Sequence, residues 1–331
     1  MLKSYSRKKQ VSRETLRMAR AYKLRRGFTS LLHGLLVVGI CFVILYPLLV
    51  KLSTSMMKEQ DLYDLSVFMI PRNFTWNNYE IAMEHMGFLT SFRNSLFLCL
   101  STSLLQIVSC TLTAYGFARF EFPFKRLLFA FVIVILVVPP QTIMIPLFLH
   151  HRFFDIFGII KKVRGEPLNL LNTLWPFTLM SATANGLKAG LYIYMLRQYF
   201  RGAPKELEEA AYVDGAGSLR TFVQVMLPGA VPMMVTVFLF SFVWQWTDTF
   251  YTTLYLPSAK VLPTALAALS ANVSHAYSSS DFSGMQYLSP GYLSMINNAA
   301  SVLVILPLAI LYLTMQRYFV EGIEHAGITG I

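Results

Sequence analysis

Charged residues are scarce in this chain: Asp, Glu, Lys and Arg supply 14% of its 331 residues, against 55% apolar. A water-soluble domain of this size carries about a quarter charged residues. Too little polar surface exists to cover a globule in water, so the apolar excess faces lipid. Cysteine is nearly absent as well. Cys41, Cys99 and Cys110 all fall inside apolar runs, with neither a disulfide framework nor metal-ligand spacing. They read as small hydrophobes facing lipid or core. None of the 18 glycines is followed by lysine, so the chain holds no phosphate loop and does not hydrolyse a nucleotide by itself. No nucleophile–base constellation or metal site appears, which disfavours a membrane enzyme. Ion-coupled carriers place ionisable groups within the membrane, where each is costly and therefore functional. The apolar runs here hold only His33, Lys188 and Asp248.

What is present is a set of long apolar runs. Six approach the roughly 20 residues that a helix needs to cross hydrocarbon: Phe28–Leu49, Leu96–Phe117, Leu127–Leu149, Leu174–Leu196, Val231–Tyr255 and Leu293–Met315. Asn185 and Lys188 interrupt the fourth. Pro47, Pro139, Pro140, Pro146, Pro176 and Pro307 lie in or at the ends of these runs. In lipid the carbonyls they free must be satisfied by neighbouring helices. The pattern predicts an all-α polytopic membrane protein, a kinked bundle of six transmembrane helices. The first run is too long for a signal-peptide core, and no small-residue cleavage site follows Tyr46-Pro47.

Basic residues orient the bundle. Ten Lys or Arg stand between Met1 and Arg26 against one acid, Glu14. A run of this kind suits a nucleic-acid tail or a membrane-surface anchor. It abuts the first span, so it reads as a contact with anionic lipid and no nucleic-acid partner is expected. Ser12 to Arg26 forms either a surface helix carrying Leu16 and Tyr22 or a frayed tail. Arg119, Lys125 and Arg126, then Arg197, Arg201, Lys205 and Arg220, mark two further cytoplasmic connections. Both termini are thus expected in the cytoplasm, with the spans in the plasma membrane. One connection resists: Arg152, Lys161, Lys162 and Arg164 fall on the expected outer side. They read as a solvated loop, or as a charge that steers or docks an acidic partner. The organisation expected is a basic segment 1–27, a six-span domain 28–316 and a cytoplasmic tail 317–331.

The cytoplasmic loop 201–228 carries the most information. Pro204 suits a first helical position, and Glu206 and Glu208 suit the positive end of a helix dipole. Asp214-Gly215 ends that helix, because glycine accepts a left-handed conformation. Ser218 can cap a second helix, with Leu219, Phe222, Val223, Met226 and Leu227 on one face, and Pro228 stops it. Spacing alone leaves open whether this unit lies on the membrane or receives a partner. The residues decide between them. Glu209-Ala210-Ala211-x-x-Asp214-Gly215-Ala216, with Leu227-Pro228 ten residues on, resembles the EAA signature of ATP-binding-cassette importer permeases.

The resemblance covers nearly all of the chain after Phe28. Ile70-Pro71-Arg72-Asn73-Phe74-Thr75-Trp76-Asn77-Asn78-Tyr79, Asn94-Ser95-Leu96 and Ala114-Tyr115-Gly116-Phe117-Ala118-Arg119-Phe120 are similar to elements of the carbohydrate-uptake group. So are Trp244-Gln245-Trp246-Thr247-Asp248-Thr249-Phe250, where Thr247 replaces the usual Asn, and Gln316-Arg317-Tyr318-Phe319-Val320-Glu321-Gly322-Ile323. The group most resembled is that of the second permease of maltodextrin importers. The resemblance implies a type I importer fold and a translocation path for a sugar or oligosaccharide, neutral or acidic. It implies a heterodimer with a second permease, two copies of an ATPase subunit that bind ATP and Mg, and an extracellular solute-binding protein. This chain itself would be non-catalytic and bind no cofactor or metal. Glu209, Ala210, Ala211, Asp214, Gly215, Leu227 and Pro228 would couple to the ATPase, which Glu321 and Gly322 of the tail would also reach. A permease for a non-sugar solute is the alternative, and an ion-coupled secondary transporter a remoter one.

Sugars are held by aromatic faces and hydroxyl-directed polar groups. Trp244, Gln245, Asp248 and Tyr251 therefore form the candidate substrate path. If the segment is helical, Gln245 and Asp248 share a face with Tyr251. An interfacial aromatic belt competes for the tryptophans, and a capping or packing role for Asp248.

Overall fold

A single helix, α1, runs over Leu2–Ser55 in the computed structural model, with Pro47 inside it. The structure describes residues 2–67, 69–279 and 288–328, with side chains given for 22–23, 25–67, 69–278 and 288–318. The basic head thus continues the helix of the first span, neither frayed nor folded into a separate surface helix. Gly27, Gly34 and Gly39 do not break it, because in lipid every backbone group must be satisfied within the segment. Side chains of 28–49 are exposed all round, as a lipid-facing helix requires. After α1, the short helix α2 (Glu59–Tyr63) places Asp61 against Asn73, whose backbone N–H and Nδ2 both donate to the carboxylate at 2.7 Å. The backbone donation from Asn73 holds the Asp61 carboxyl below its ordinary range. These elements make up one unit, Met1–Thr75; the second is Trp76–Ile331.

The second unit begins with α3 (Asn77–Met86), closed by Gly87 at φ 55, and α4 (Phe88–Arg119). Next come α5 (Lys125–Val137), a 3₁₀ turn over Pro140–Ile143, and α6 (Met144–Arg152). Pro139 and Pro140 carry no N–H, the ladder fails there, and the chain turns by 102°. The short α7 (Ile159–Arg164) leads to α8 (Trp175–Ala182) and α9 (Ala189–Gly202). The loop 201–228 forms α10 (Glu206–Val213), α11 (Ser218–Thr221), a π turn (Phe222–Met226) and α12 (Leu227–Gly229). Helices α13 (Val231–Thr247), α14 (Phe250–Tyr255), α15 (Leu262–Ser279) and α16 (Pro290–Ile328) complete the unit.

The apolar runs are more broken than their hydropathy suggests. Among the described residues, three helices are long and apolar enough to cross a membrane: Arg25–Ser55, Phe88–Arg119 and Pro290–Tyr318. The number is up to five if each bent pair is one span, Lys125–Val137 with Pro140–Arg152 and Ser218–Gly229 with Val231–Thr247. The expected fourth run is two helices, because Ala184 and Lys188 adopt left-handed φ of 57 and 61. The expected fifth ends at Thr247, where Asp248 turns extended. Polar side chains of α4 satisfy the carbonyls that the break frees. Gln106 Nε2 donates to Leu187 O at 3.0 Å and Ser109 Oγ to Ser181 O at 2.6 Å. Ser241 of α13 in turn donates to Gln106 Oε1.

The main core joins α4, α9, the π turn and α13 through Tyr115, Tyr192, Leu196, Phe200, Phe222, Met226 and Met233. Cys110 is buried in it, Cys99 is buried elsewhere and Cys41 is exposed, all three as free thiols. Small residues let helices approach closely, as in other membrane bundles. A Cβ on Gly190 of α9 would stand 2.8 Å from the Val132 carbonyl oxygen of α5. That atom is backbone and cannot step aside. Gly190→Ala should therefore lower the melting midpoint of the purified protein in detergent, by a cost of about 1–3 kcal/mol. Gly217→Ala, where nothing lies within 4 Å, should leave the midpoint unchanged. Equal midpoints for the two variants would mean that α5 does not press on Gly190.

Candidate functional site

Helix α10 follows Pro204 and carries Glu206, Glu208 and Glu209 in its first turn, where acids oppose the positive end of the dipole. Its end is a Schellman motif. Ala216 N–H donates to Ala211 O at 2.9 Å and Gly215 N–H to Tyr212 O at 3.0 Å, with Gly215 at φ 80. No atom lies within 4 Å of a Cβ built on Gly215, so backbone conformation and not space demands the glycine.

One face of α10 is tied to the bundle. Glu208 Oε2 lies 3.2 Å from Arg119 Nε, and the two side chains are 11% and 8% exposed. This is a buried pair, not a surface bridge, and its worth depends on the hydrogen bonds around it. Those bonds are present. Tyr115 Oη donates to Glu208 Oε1 at 2.9 Å, and Arg119 Nη2 donates to Ala203 O at 2.7 Å. The Tyr115 ring sits among Phe120, Phe200 and Phe222 at centroid distances of 5.6, 5.3 and 4.6 Å. The end of α4, the end of α9 and the π turn thus meet around one carboxylate.

The other face of α10 is free. Glu209, Ala210, Asp214 and Gly215 are exposed, while Ala211 is buried beside Glu208. Val213 and Leu219 are 87% and 74% exposed, and Leu207 and Tyr212 also face outward. An apolar surface with an acidic edge is left uncovered within this chain. The second half of the loop departs from expectation. Phe222 and Met226 are buried in the core, whereas Leu219 and Val223 are exposed. The five residues expected on one face are divided, because the π turn inserts an extra residue and rotates the chain beyond it. Leu227 is half-buried and Pro228 exposed.

The path residues scatter. Trp244 is exposed, with Lys188 Nζ 4.9 Å from the centre of its ring. Gln245 is buried, and its Nε2 has no hydrogen-bond partner among the described residues. Asp248 is the cap of α14: its carboxylate accepts from Thr252 N–H at 2.8 Å, Thr252 Oγ1 at 2.9 Å and Tyr251 N–H at 3.3 Å. Gln245 and Tyr251 border a narrow cleft with Phe177 and Ser181. Tyr251 also lines a cavity of ≈ 660 Å³ with Val138, Leu147, His150, Asn185 and Lys188. The break after Thr247 explains the scatter, since no continuous helix holds Gln245, Asp248 and Tyr251 on one face. The backbone of α16 is helical through Glu321 and Gly322, whose side chains lie outside the described residues. No group of three or more metal-ligating side chains occurs among the described residues.

Two anchoring residues, Tyr115 and Arg119, were legible only as a family element. Their four-residue spacing puts them on one face at the end of α4, which was the available signal.

Residues 109–325 match the family described as binding-protein-dependent transport system inner membrane component. The chain is 30% identical, over 87% of its length and 88% of the relative's, to the osmoprotective compounds uptake permease protein GgtD of Synechocystis. It is 29% identical, over 78% of its length and 62% of the relative's, to the alpha-glucoside transport system permease protein AglG of Rhizobium meliloti. Its fold matches a chain in the crystal structure of a bacterial ABC transporter involved in the import of the acidic polysaccharide alginate. The TM-score is 0.64 at 19% identity, covering 88% of this chain and 96% of that one.

Arg119→Met strands the Glu208 carboxylate without its partner in a buried site, at a cost of about 3–5 kcal/mol. Melting in detergent should show a large drop for this variant and a clear recovery in the double variant Arg119→Met, Glu208→Leu. A single variant as stable as the parent would show that the pair anchors nothing.

Proposed function

We propose a function from one premise: the chain belongs to the family of binding-protein-dependent transport system inner membrane components. It is a membrane permease subunit of an ATP-binding-cassette importer, with the type I importer permease fold. From this we infer that its cargo is a sugar or oligosaccharide and that it is the non-catalytic half of a permease heterodimer. A second permease completes the path, two ATPase subunits supply the energy, and a solute-binding protein delivers the cargo from outside. Both termini and α10 then lie in the cytoplasm. The Trp76, Trp244 and Arg317 motifs and the alpha-glucoside named for one relative support the sugar. The osmoprotective compounds named for another favour a second reading, a small polar osmolyte.

The observation that carries the mechanism is the two-sided α10. One face is locked to α4 and α9 through Glu208, Arg119 and Tyr115, and the other presents Leu207, Ala210 and Val213 to a partner. A helix held in this way passes a push from a docked ATPase into the spans without bending. Glu209, Ala210, Ala211, Asp214 and Gly215 make the contact, with Leu227-Pro228 ending the elbow, and Glu321 and Gly322 add a contact from the tail. Gln245 and Tyr251 face the solute. Asp248 positions α14, and Trp244 stacks on Lys188.

Gly215→Val forces a β-branched residue to φ 80, which disfavours the Schellman end by about 1–2 kcal/mol. Asn tolerates that conformation. In proteoliposomes holding the complete transporter, Gly215→Val should cut ATP-driven uptake and binding-protein-stimulated ATP hydrolysis together, while Gly215→Asn keeps most of both. Uptake of an alpha-glucoside and of a polyol osmolyte, compared in the same vesicles, separates the two cargo readings. Cargo movement by vesicles that lack the ATPase subunits would remove the proposal.

A further inference from the structure

Between the paired residues Phe154 and Leu168 the chain leaves the bundle and returns, in an ordered excursion that the importer reading does not use. Its base is closed by two backbone bonds, Phe154 N–H to Leu168 O at 2.9 Å and Leu168 N–H to Phe154 O at 3.0 Å. Asp155 Oδ1 accepts from Ile160 N–H at 2.9 Å, and Gly165 N–H donates to Lys161 O at 2.8 Å, so both ends of α7 are tied down. Yet the side chains that this frame presents are apolar and bare. Phe157 is 99% exposed and Val163 84%, and Phe153, Ile156 and Ile159 are exposed beside them. Phe157 is also held at φ 52, a left-handed backbone that a bulky residue rarely adopts. Strain of this kind persists where the surroundings impose it, and it clusters where a side chain is being aimed.

The cations complete the pattern. Ile159 and Val163 stand four residues apart on one face of α7, with Lys162 and Arg164 to either side of it and Lys161 behind. Arg152 lies at the foot, its guanidinium 5.6 Å from the Phe153 ring. Against these four cations stand Asp155, which caps α7, and Glu166. Bare aromatic and aliphatic side chains bordered by Lys and Arg, next to membrane-crossing helices, are the composition that seats itself at a bilayer interface. An acidic protein surface would satisfy the cations but would leave Phe157 and Val163 no apolar partner.

We infer that the excursion 153–165 is an interfacial anchor. Phe157, Ile159 and Val163 sit in the outer edge of the hydrocarbon, and Lys162 and Arg164 bind the phosphates of anionic lipid head groups. Its role is to fix the depth of the α6–α8 connection in the leaflet it touches.

A depth measurement tests this on the assembled transporter in nanodiscs. Cys99 and Cys110 are buried, so Cys41→Ser removes the exposed native thiol, and a nitroxide is placed singly at Phe157→Cys, Val163→Cys or Lys161→Cys. In bilayers containing phosphatidylglycerol, oxygen collisions should exceed nickel-chelate collisions several-fold at Phe157 and Val163, and the reverse should hold at Lys161. Replacing phosphatidylglycerol by phosphatidylcholine, or making Lys162→Glu with Arg164→Glu, should lower the ratio at Phe157 at least two-fold. Phe157 and Val163 as open to the chelate as Lys161 would overturn the inference. So would protection that appears only when the solute-binding protein is added, which would make the surface a protein contact.

Discussion

A buried carboxylate governs the end of this bundle where α4, α9 and α10 meet. Glu208 is removed from water and therefore has to be paired and hydrogen-bonded, and Arg119 and Tyr115 of α4 do both. The consequence is geometric. A residue of the loop cannot move without dragging α4, and Tyr115 is wedged against Phe200 of α9 and Phe222 of the π turn. Arg119 also holds the Ala203 carbonyl, which fixes the point where the chain leaves α9. Replacing this cluster by apolar side chains would preserve burial but give up the orientation of α10, which ring packing alone specifies less sharply.

The interior of the bundle answers a different demand, that no backbone N–H or carbonyl be left bare in lipid. The chain breaks at Val138–Pro140, at 183–188 and at Asp248–Thr249, and polar side chains repair the second and third of these locally. Gln106 and Ser109 reach from α4 to the second break. Asp248 supplies the third with a cap for α14, taking two backbone N–H groups. A Cβ on Gly186 at the second break would push the Gln106 amide out of its place. The polar residues inside the apolar runs are therefore mostly repair of the backbone and not binding groups.

The fold class and the first helix of the loop 201–228 were legible because they rest on long apolar runs and on local turn chemistry. Pro204, Asp214 and Gly215 bound α10 as helix grammar expects. The broken fourth span was not legible. Its left-handed positions carry Ala184 and Lys188, residues that do not advertise that conformation, and tertiary bonds from α4 support the break around them. The π turn has no residue signature either, so a face drawn through Leu219, Phe222, Val223, Met226 and Leu227 assumed a regular helix that the chain does not form. Asp248 was readable as cap or ligand, and Thr252 four residues on was the clue favouring the cap. Continuation of α1 through the basic head reflects a helix already nucleated by its apolar half, for which each added residue is cheap.

The breaks and the rigid elbow have complementary roles in the proposed mechanism. A push on α10 meets no soft element before α4 and α9, because the ion pair, the aromatic cluster and the Schellman end all resist it. Helix interiors transmit such a displacement nearly unchanged. What yields in a bundle of this kind is backbone without a continuous ladder, since a few terminal residues can absorb a change in φ and ψ. All three breaks contribute to one cavity wall: Val138 and Pro139 from the first, Asn185, Gly186 and Lys188 from the second, and Tyr251 just beyond the third. Bending at any of them changes the shape of that cavity while the cores of α4, α9 and α13 stay packed. Stiffness at the cytoplasmic end and compliance around the cavity are thus two parts of one device, and neither is useful to a transporter without the other.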